Sequence, residues 1–245
     1  MPGGVDDHDR GAQEVVSGAY EGLRELLPGA LRDYLLFFEA SIRRAVDGFA
    51  ASLPAGARVL DAGAGEGQYA GRFVSQRYTG VDLGIGDAGW NYAGLDAVAD
   101  LLALPFAGDT FDAALNVVTL EHVREPARVI EELFRVLRPG GRLLIIVPHE
   151  WEQHQIPHDY FRYTRYGMQY LLERAGFTGI VIEPVGGYFR LMSRRLLNGL
   201  QFFPLPVMVL VGLVVGPLAL VAPLCDGLDR EKNFTLGFVC RAYKE

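Results

Sequence analysis

Val59-Leu60-Asp61-Ala62-Gly63-Ala64-Gly65-Glu66-Gly67 decides the reading of this chain, because a short aliphatic run there meets glycines that let a backbone turn sharply and approach a ligand closely. The dinucleotide fingerprint G-x-G-x-x-G, started at Gly63, needs its third glycine at the position Gln68 occupies. Gly67 gives a G-x-G-x-G run instead, with Asp61 just ahead of it. A carboxylate at that point repels a pyrophosphate, so the acidic turn argues against a phosphate ligand.

Outward from the turn, aliphatic runs alternate with helical stretches. Residues 58–61 read as a buried strand, 69–75 as a helix, 78–82 and 111–118 as strands, 126–137 as a helix and 142–147 as a strand. A helix over 165–175 closed by Gly176, a strand over 180–183 and a last strand over 235–243, with a bulge at Gly237, complete the pattern. Strands separated by helices imply parallel pairing with right-handed crossovers. In the 126–137 helix, Pro126 suits the first position, Gly140-Gly141 supplies the exit, and Val129, Ile130, Leu133, Phe134 and Leu137 form the apolar stripe. Upstream, Leu35, Phe38, Ile42, Val46 and Phe49 recur at helical spacing, giving an amphipathic helix over 34–49 behind a loose tail at 1–12.

Asp61 with Gly63, Gly65 and Gly67 resembles motif I of the class I S-adenosylmethionine (SAM)-dependent methyltransferases, in particular their type 11 group. Further blocks of that family follow in order: Gly80-Val81-Asp82, Asp100-Leu101 with Leu104-Pro105-Phe106, the strand Phe111 to Asn116, Leu120-Glu121-His122-Val123, and Arg135 to Gly141. The resemblance covers about residues 58–177. It implies an α/β, Rossmann-like fold with a seven-stranded, mostly parallel sheet whose last strand is antiparallel, and SAM as cofactor. The implied cofactor-binding positions are Asp61, Gly63, Gly65, Gly67, Gln68, Asp82, Leu83, Asp100, Leu101 and Asn116. Among them Asp82 takes the ribose hydroxyls and Asp100 the adenine amino group. Asp112 reads as structural.

The 148–164 segment carries three of the five histidines, and its run His158-Asp159-Tyr160-Phe161-Arg162-Tyr163-Thr164 is similar to a "P-x-D-Y-F-R-Y-T" segment of a bacterial methyltransferase subgroup. His154 and His158 are the candidate bases, with Asp159 orienting them, since histidine accepts protons near neutral pH. The competing reading makes His158 and Asp159 a structural bend and pairs Arg162 with an acid. No metal is expected; the ligand types would allow only a set of His149, His154, His158 and Asp159.

Phe202 to Cys225 contains no charged residue. Its length suits a membrane span, yet a single crossing would part the last strand from its sheet. Prolines 204, 206, 217 and 223 predict two short apolar helices dipping into one leaflet, with Arg190, Arg194 and Arg195 meeting anionic headgroups. A lid or a homodimer contact is the alternative. The expected organisation is residues 1–56 as tail and amphipathic helix, 57–186 as the SAM-binding core, 187–230 as the apolar helical insertion and 231–245 as the final strand.

A net charge of -7 with no Lys/Arg-rich run leaves no electrostatic footprint for DNA or RNA. The acceptor is therefore expected to be a small or amphipathic molecule. Cys225 and Cys240 lack metal-type spacing and are expected as free thiols. The polar, acidic opening lacks a signal h-region, so the chain is expected in the cytoplasm, peripheral on the inner membrane face. The resulting expectation is methyl transfer to oxygen. Its competitors are a nicotinamide-dependent reductase of Rossmann type and a non-catalytic SAM-fold membrane partner.

Overall fold

The computed structural model describes residues 28–86 and 89–245, so the tail expected at 1–12 lies outside the described residues. Two compact units emerge, Ser41–Val185 with Thr235–Glu245, and Met1–Ala40 with Gly186–Phe234.

The first unit is built on a seven-stranded sheet. Its elements are β1 (Arg58–Ala62), β2 (Arg77–Asp82), β3 (Ala97–Val98), β4 (Phe111–Val117), α1 (Pro126–Val136), β5 (Leu137–Pro148), α2 (Arg165–Ala175), β6 (Thr178–Val185) and β7 (Gly237–Tyr243). The spatial order is β3-β2-β1-β4-β5-β7-β6. β1 pairs in parallel with β2 and β4, β2 with β3, and β4 with β5, whereas β7 runs antiparallel to β5 and β6. The fold class expected from the sequence is present, with its antiparallel last strand.

Near-continuous burial of β1, β4 and β5 is what a parallel strand covered on both faces requires. Val129, Ile130 and Leu133 of α1 are fully buried and join Leu143, Ile145 and Val147 in one core. Glu132, on the same helix, accepts the Leu104 N–H at 2.9 Å and pairs with Arg135, which reaches the Leu104 and Phe106 carbonyls. That pair holds the Leu104-Pro105-Phe106 loop against α1. Thr164 caps α2 by accepting the Gly167 N–H, and Gly176 closes it at φ 99°, as the sequence predicts.

Several expectations fail locally. The 69–75 helix shrinks to a 3-10 turn, Ala70–Arg72; Gly71 weakens it, and Phe73 is its only buried apolar anchor. Strand β3 is an exposed two-residue edge with no periodicity to reveal it. Gly140 has φ 76° but does not end α1, which stops at Val136; its N–H instead reaches the Lys244 carbonyl inside the opening stretch of β5. Gly237 is no bulge, since it pairs in register with Pro148 and Val185.

The amphipathic stretch at 34–49 forms two helices, Gly29–Leu35 and Phe37–Ala51, because the backbone leaves the helical region at Leu36, with ψ 57°. In the second unit lie α3 (Tyr188–Asn198) and α4 (Leu205–Val221). Asp226 accepts the N–H groups of Gly187 and Arg190 at the start of α3 and pairs with Lys232 at 2.7 Å. The prolines do not divide the apolar stretch in two: Pro206 sits in the first turn of α4, where its missing N–H costs nothing, and Pro217 is carried inside one continuous helix. Among the described residues, 205–228 is the one helical run long and apolar enough to cross a membrane.

The arginines of α3 also depart from expectation. Arg194 is buried and salt-bridges Glu39 at 2.9 Å, while Arg190 lies over the Phe37 ring and donates to the Tyr34 carbonyl. Aromatic and acidic partners far away in sequence satisfy these two cations, so they do not project toward headgroups.

Candidate active site

Asp61 ends up fully buried in β1, where Oδ2 accepts the Tyr78 hydroxyl at 2.6 Å and Oδ1 has no partner. Burial, only partly offset by the Tyr78 hydrogen bond, pushes its carboxyl up to about 7. A buried carboxylate oxygen without a partner is costly unless something fills the place before it.

The glycine turn follows, with φ 87° at Gly63, 55° at Gly65 and 78° at Gly67. A Cβ on Gly63 would fall 2.3 Å from Thr119 Cγ2, and one on Gly65 would fall 3.1 Å from the Trp90 ring. The backbone at Gly63 and Gly65 therefore packs closely against Thr119 and Trp90, with no space for a side chain at Gly63. At the tip of β2, Asp82 accepts the N–H groups of Gly65 at 3.0 Å and Gly84 at 2.8 Å, and its lone pairs allow further donors. Asn116, buried in β4, donates to the Ala62 carbonyl at 2.7 Å. Asp100 is exposed and accepts the Leu102 N–H, Leu101 is buried, and Gln68 and Leu83 are exposed. Asp61, the three glycines, Asp82 and Asn116 therefore come together around β1, β2 and β4. Asp112 accepts the Arg58 N–H and pairs with Arg138.

These residues fit a SAM-like ligand. An acid with an open, buried oxygen suits an ammonium, and a second acid at a strand tip suits ribose hydroxyls.

The histidine loop is arranged differently from expectation. Asp159 is occupied by the Arg162 fork at 2.6 and 2.7 Å and by the backbone N–H of His154 at 3.0 Å, so it does not orient His158. His158 instead shares a 3.1 Å hydrogen bond with the Tyr160 hydroxyl. His149 belongs to neither, since Nδ1 bonds the Tyr163 carbonyl and the ring packs on Phe238. His154 faces His122, with Nε2 atoms 3.1 Å apart, and both approach the fully buried Glu121. Burial pushes the Glu121 carboxyl up to about 8 and lowers the His122 imidazole.

The aromatic run wraps this turn. Tyr160 and Phe161 donate backbone N–H groups to the Glu121 carbonyl, the Tyr163 hydroxyl donates to Leu120, and the His158 carbonyl meets His122 Nδ1 at 2.7 Å. Sequence reasoning assigned no chemistry to Glu121, Tyr78, Trp90 or Thr119 and read His122 only within the Leu120–Val123 block, at a helix start. For Glu121 and His122 the available signal was their place directly after β4.

Comparison with known proteins agrees with this geometry. Residues 60–145, from β1 into β5, match the family model described as a methyltransferase domain. The tRNA (carboxymethyluridine(34)-5-O)-methyltransferase of Arabidopsis thaliana is 38% identical over 111 residues, 42% of this chain and 26% of that protein. The ubiquinone/menaquinone biosynthesis C-methyltransferase of Roseobacter denitrificans is 36% identical over 106 residues, 38% of this chain and 42% of that protein. The chain thus matches well under half the length of these curated relatives. A phosphoethanolamine N-methyltransferase of Haemonchus contortus, solved with phosphomonomethylethanolamine and S-adenosylhomocysteine, shares the fold at TM-score 0.56 and 18% identity, covering 84% of this chain and 53% of that one. The Arabidopsis relative is named for a tRNA acceptor, which stands against using acidic composition alone to exclude a nucleic acid. The matched stretch runs through the five parallel strands that carry the glycine turn, so residues 60–145 of this chain are similar to a methyltransferase domain.

Proposed function

We propose that the chain binds SAM in the crevice beside Gly65 and methylates an oxygen of a small or amphipathic acceptor. The observation that carries this reading is the unpartnered oxygen of Asp61 beside a glycine turn with no space for a side chain at Gly63. When bound, SAM supplies an electrophilic methyl on a sulfonium, open to in-line displacement. Asp61 would hold the ammonium, Asp82 the ribose, and Gly63 and Gly65 the chain between them, while Asp100 is the candidate for the adenine amino group. These residues align the donor. The histidine cluster after β4 supplies the groups able to take or polarise the acceptor's proton.

Support for oxygen comes from that cluster and from the 5-O specificity in the name of the Arabidopsis relative. Incubating the chain and a lysate with methyl-labelled SAM should yield an enzyme-dependent small molecule that carries the label on oxygen, identified by mass spectrometry. Label confined to RNA would move the acceptor to nucleic acid, and no transferred label at all would overturn the reading.

The same proposal places the protein at a lipid surface through α4. Leu210, Leu213, Val214, Leu218 and Val221 lie on one helical face and are 56–70% exposed. Because Arg190 and Arg194 are occupied internally, apolar burial would drive this contact, which should persist in high salt. Vesicles should carry the protein into the pellet, and Leu213→Glu with Val214→Glu should release it; wild-type protein wholly in the supernatant would contradict the placement.

A further inference from the structure

His122 Nδ1 lies 2.7 Å from the His158 carbonyl oxygen, and His154 Nδ1 lies 3.2 Å from that of Glu152. A carbonyl cannot donate, so each Nδ1 carries the ring proton, and each neutral imidazole presents a bare Nε2 lone pair. Those two Nε2 atoms face each other at 3.1 Å. Lone pair against lone pair is repulsive unless a cation lies between them. The third group is Glu121, fully buried, with neither carboxylate oxygen hydrogen-bonded; Oε1 stands 3.7 Å from His122 Nε2 and 3.8 Å from His154 Nε2. Among the described residues this is the one set of three such ligands whose atoms converge.

We propose that Glu121 Oε1, His122 Nε2 and His154 Nε2 hold one divalent transition-metal ion, with zinc the best fit. A point equidistant from the three atoms lies about 2.1 Å from each, the length of zinc bonds to imidazole nitrogen and carboxylate oxygen. Two imidazoles select against magnesium and calcium, which take oxygen ligands. The outer shell is the kind that fixes metal-binding tautomers: carbonyls sit on both Nδ1 atoms, and the Arg162-Asp159 fork holds the His154 backbone. The Tyr160-Phe161-Arg162-Tyr163 run thereby has a purpose, because its backbone and hydroxyl groups fix the Leu120–His122 turn.

Three protein ligands leave a fourth position free, as in catalytic rather than structural zinc sites. Thr119, two residues before Glu121, hydrogen-bonds the Gly63 carbonyl at 3.1 Å, so the ligand turn adjoins the glycine cradle. Resting on the methyl-transfer reading, the fourth position takes the acceptor's oxygen and favours loss of its proton to solvent before methylation.

The test uses the full chain without an affinity tag, stripped with a chelator, exchanged, and titrated with zinc chloride by calorimetry. One ion per chain should bind with Kd below about 1 μM. His154→Ala should weaken it more than about 100-fold, beyond the usual cost of outer-shell changes. Glu121→Gln should do the same. Cobalt(II) should give the visible bands of a four-coordinate nitrogen and oxygen site in the wild type, a readout that needs no variant. Absence of zinc uptake by the wild type, or equal uptake by His154→Ala, would overturn the site and leave a shared proton between the rings. S-adenosylhomocysteine titrated into the same preparation separates the two readings. Its binding without zinc sinks only the metal site, and zinc binding without it sinks the methyltransferase reading while the metal site stands.

Discussion

Replacing Gly63 by alanine is expected to cost about 2–4 kcal/mol of stability and to abolish measurable S-adenosylhomocysteine binding, whereas the same change at Gly67 should cost only about 1 kcal/mol. Both residues have positive φ, so both substitutions carry backbone strain. Only Gly63 adds a collision, with Thr119 Cγ2, Oγ1 and Cβ at 2.3, 2.6 and 2.8 Å. Thr119 cannot rotate away cheaply, since it is β-branched, its Oγ1 bonds the Gly63 and Val117 carbonyls, and its Cβ is fixed by the backbone. At Gly67 the nearest atom to the new Cβ would be the Gly94 carbonyl oxygen at 3.9 Å, an ordinary contact. Denaturant midpoints and calorimetric affinities of the two variants measure the difference. Equal costs at the two positions would show that the turn is not the close-packed cradle described here.

The second large effect is a pH dependence centred on Asp61. Its carboxyl is raised from the ordinary 3.8 to about 7, so between those values the folded, ligand-free chain holds a proton that the unfolded chain has lost. Stability from this group is complete below the ordinary value and falls as pH rises through about 7, by up to about 1.4 kcal/mol per pH unit. Ligand affinity should run the other way. A cationic ligand stabilises the ionised carboxylate, so affinity should climb up to about tenfold per unit as pH approaches about 7. The groups influencing Asp61 are the Tyr78 hydroxyl, which bonds it, and the Asp82 carboxylate, which raises it further; Tyr69 feels its charge in turn. Asp61→Asn should weaken binding and remove both slopes. Titration with S-adenosylhomocysteine from about pH 5.5 to about pH 7.5 reads the effect, and a flat affinity in the wild type would refute the assignment of Asp61 to the ligand's cation.

How far the fold could be read in advance depended on how local its causes are. Strands β1, β4 and the 142–147 part of β5 announce themselves because they are dense in buried apolar residues. The end of α2 follows from Gly176, a single residue with a defined capping role. By contrast, β3 exists because the edge of β2 accepts it, with no apolar pattern of its own. The apolar helix α4 was misread as broken because the prolines were counted without their helical positions, and Pro206 stands where proline is harmless.

The candidate site divides in the same way. Asp61, Gly63, Gly65 and Gly67 are contiguous, so spacing alone exposed them. The cluster of Glu121, His122 and His154 arises from a loop folding back over the end of β4, and no periodicity reports a contact between segments so far apart. His158 and Asp159 drew attention through their residue types, yet their partners are Tyr160 and Arg162, which makes them supports for that cluster. Arg190 and Arg194 looked like a charged face until Phe37 and Glu39 supplied partners.

The central claim is that the acids at the tips of β1 and β2 grasp a cationic nucleoside beside Gly65. Calorimetric titration of the full chain with S-adenosylhomocysteine and, separately, with NADH tests it most directly. Binding of one S-adenosylhomocysteine per chain, weakened at least about tenfold by Asp82→Ala, with no heat from NADH, is the predicted result. Heat from NADH alone, or an S-adenosylhomocysteine affinity indifferent to Asp82, would contradict it.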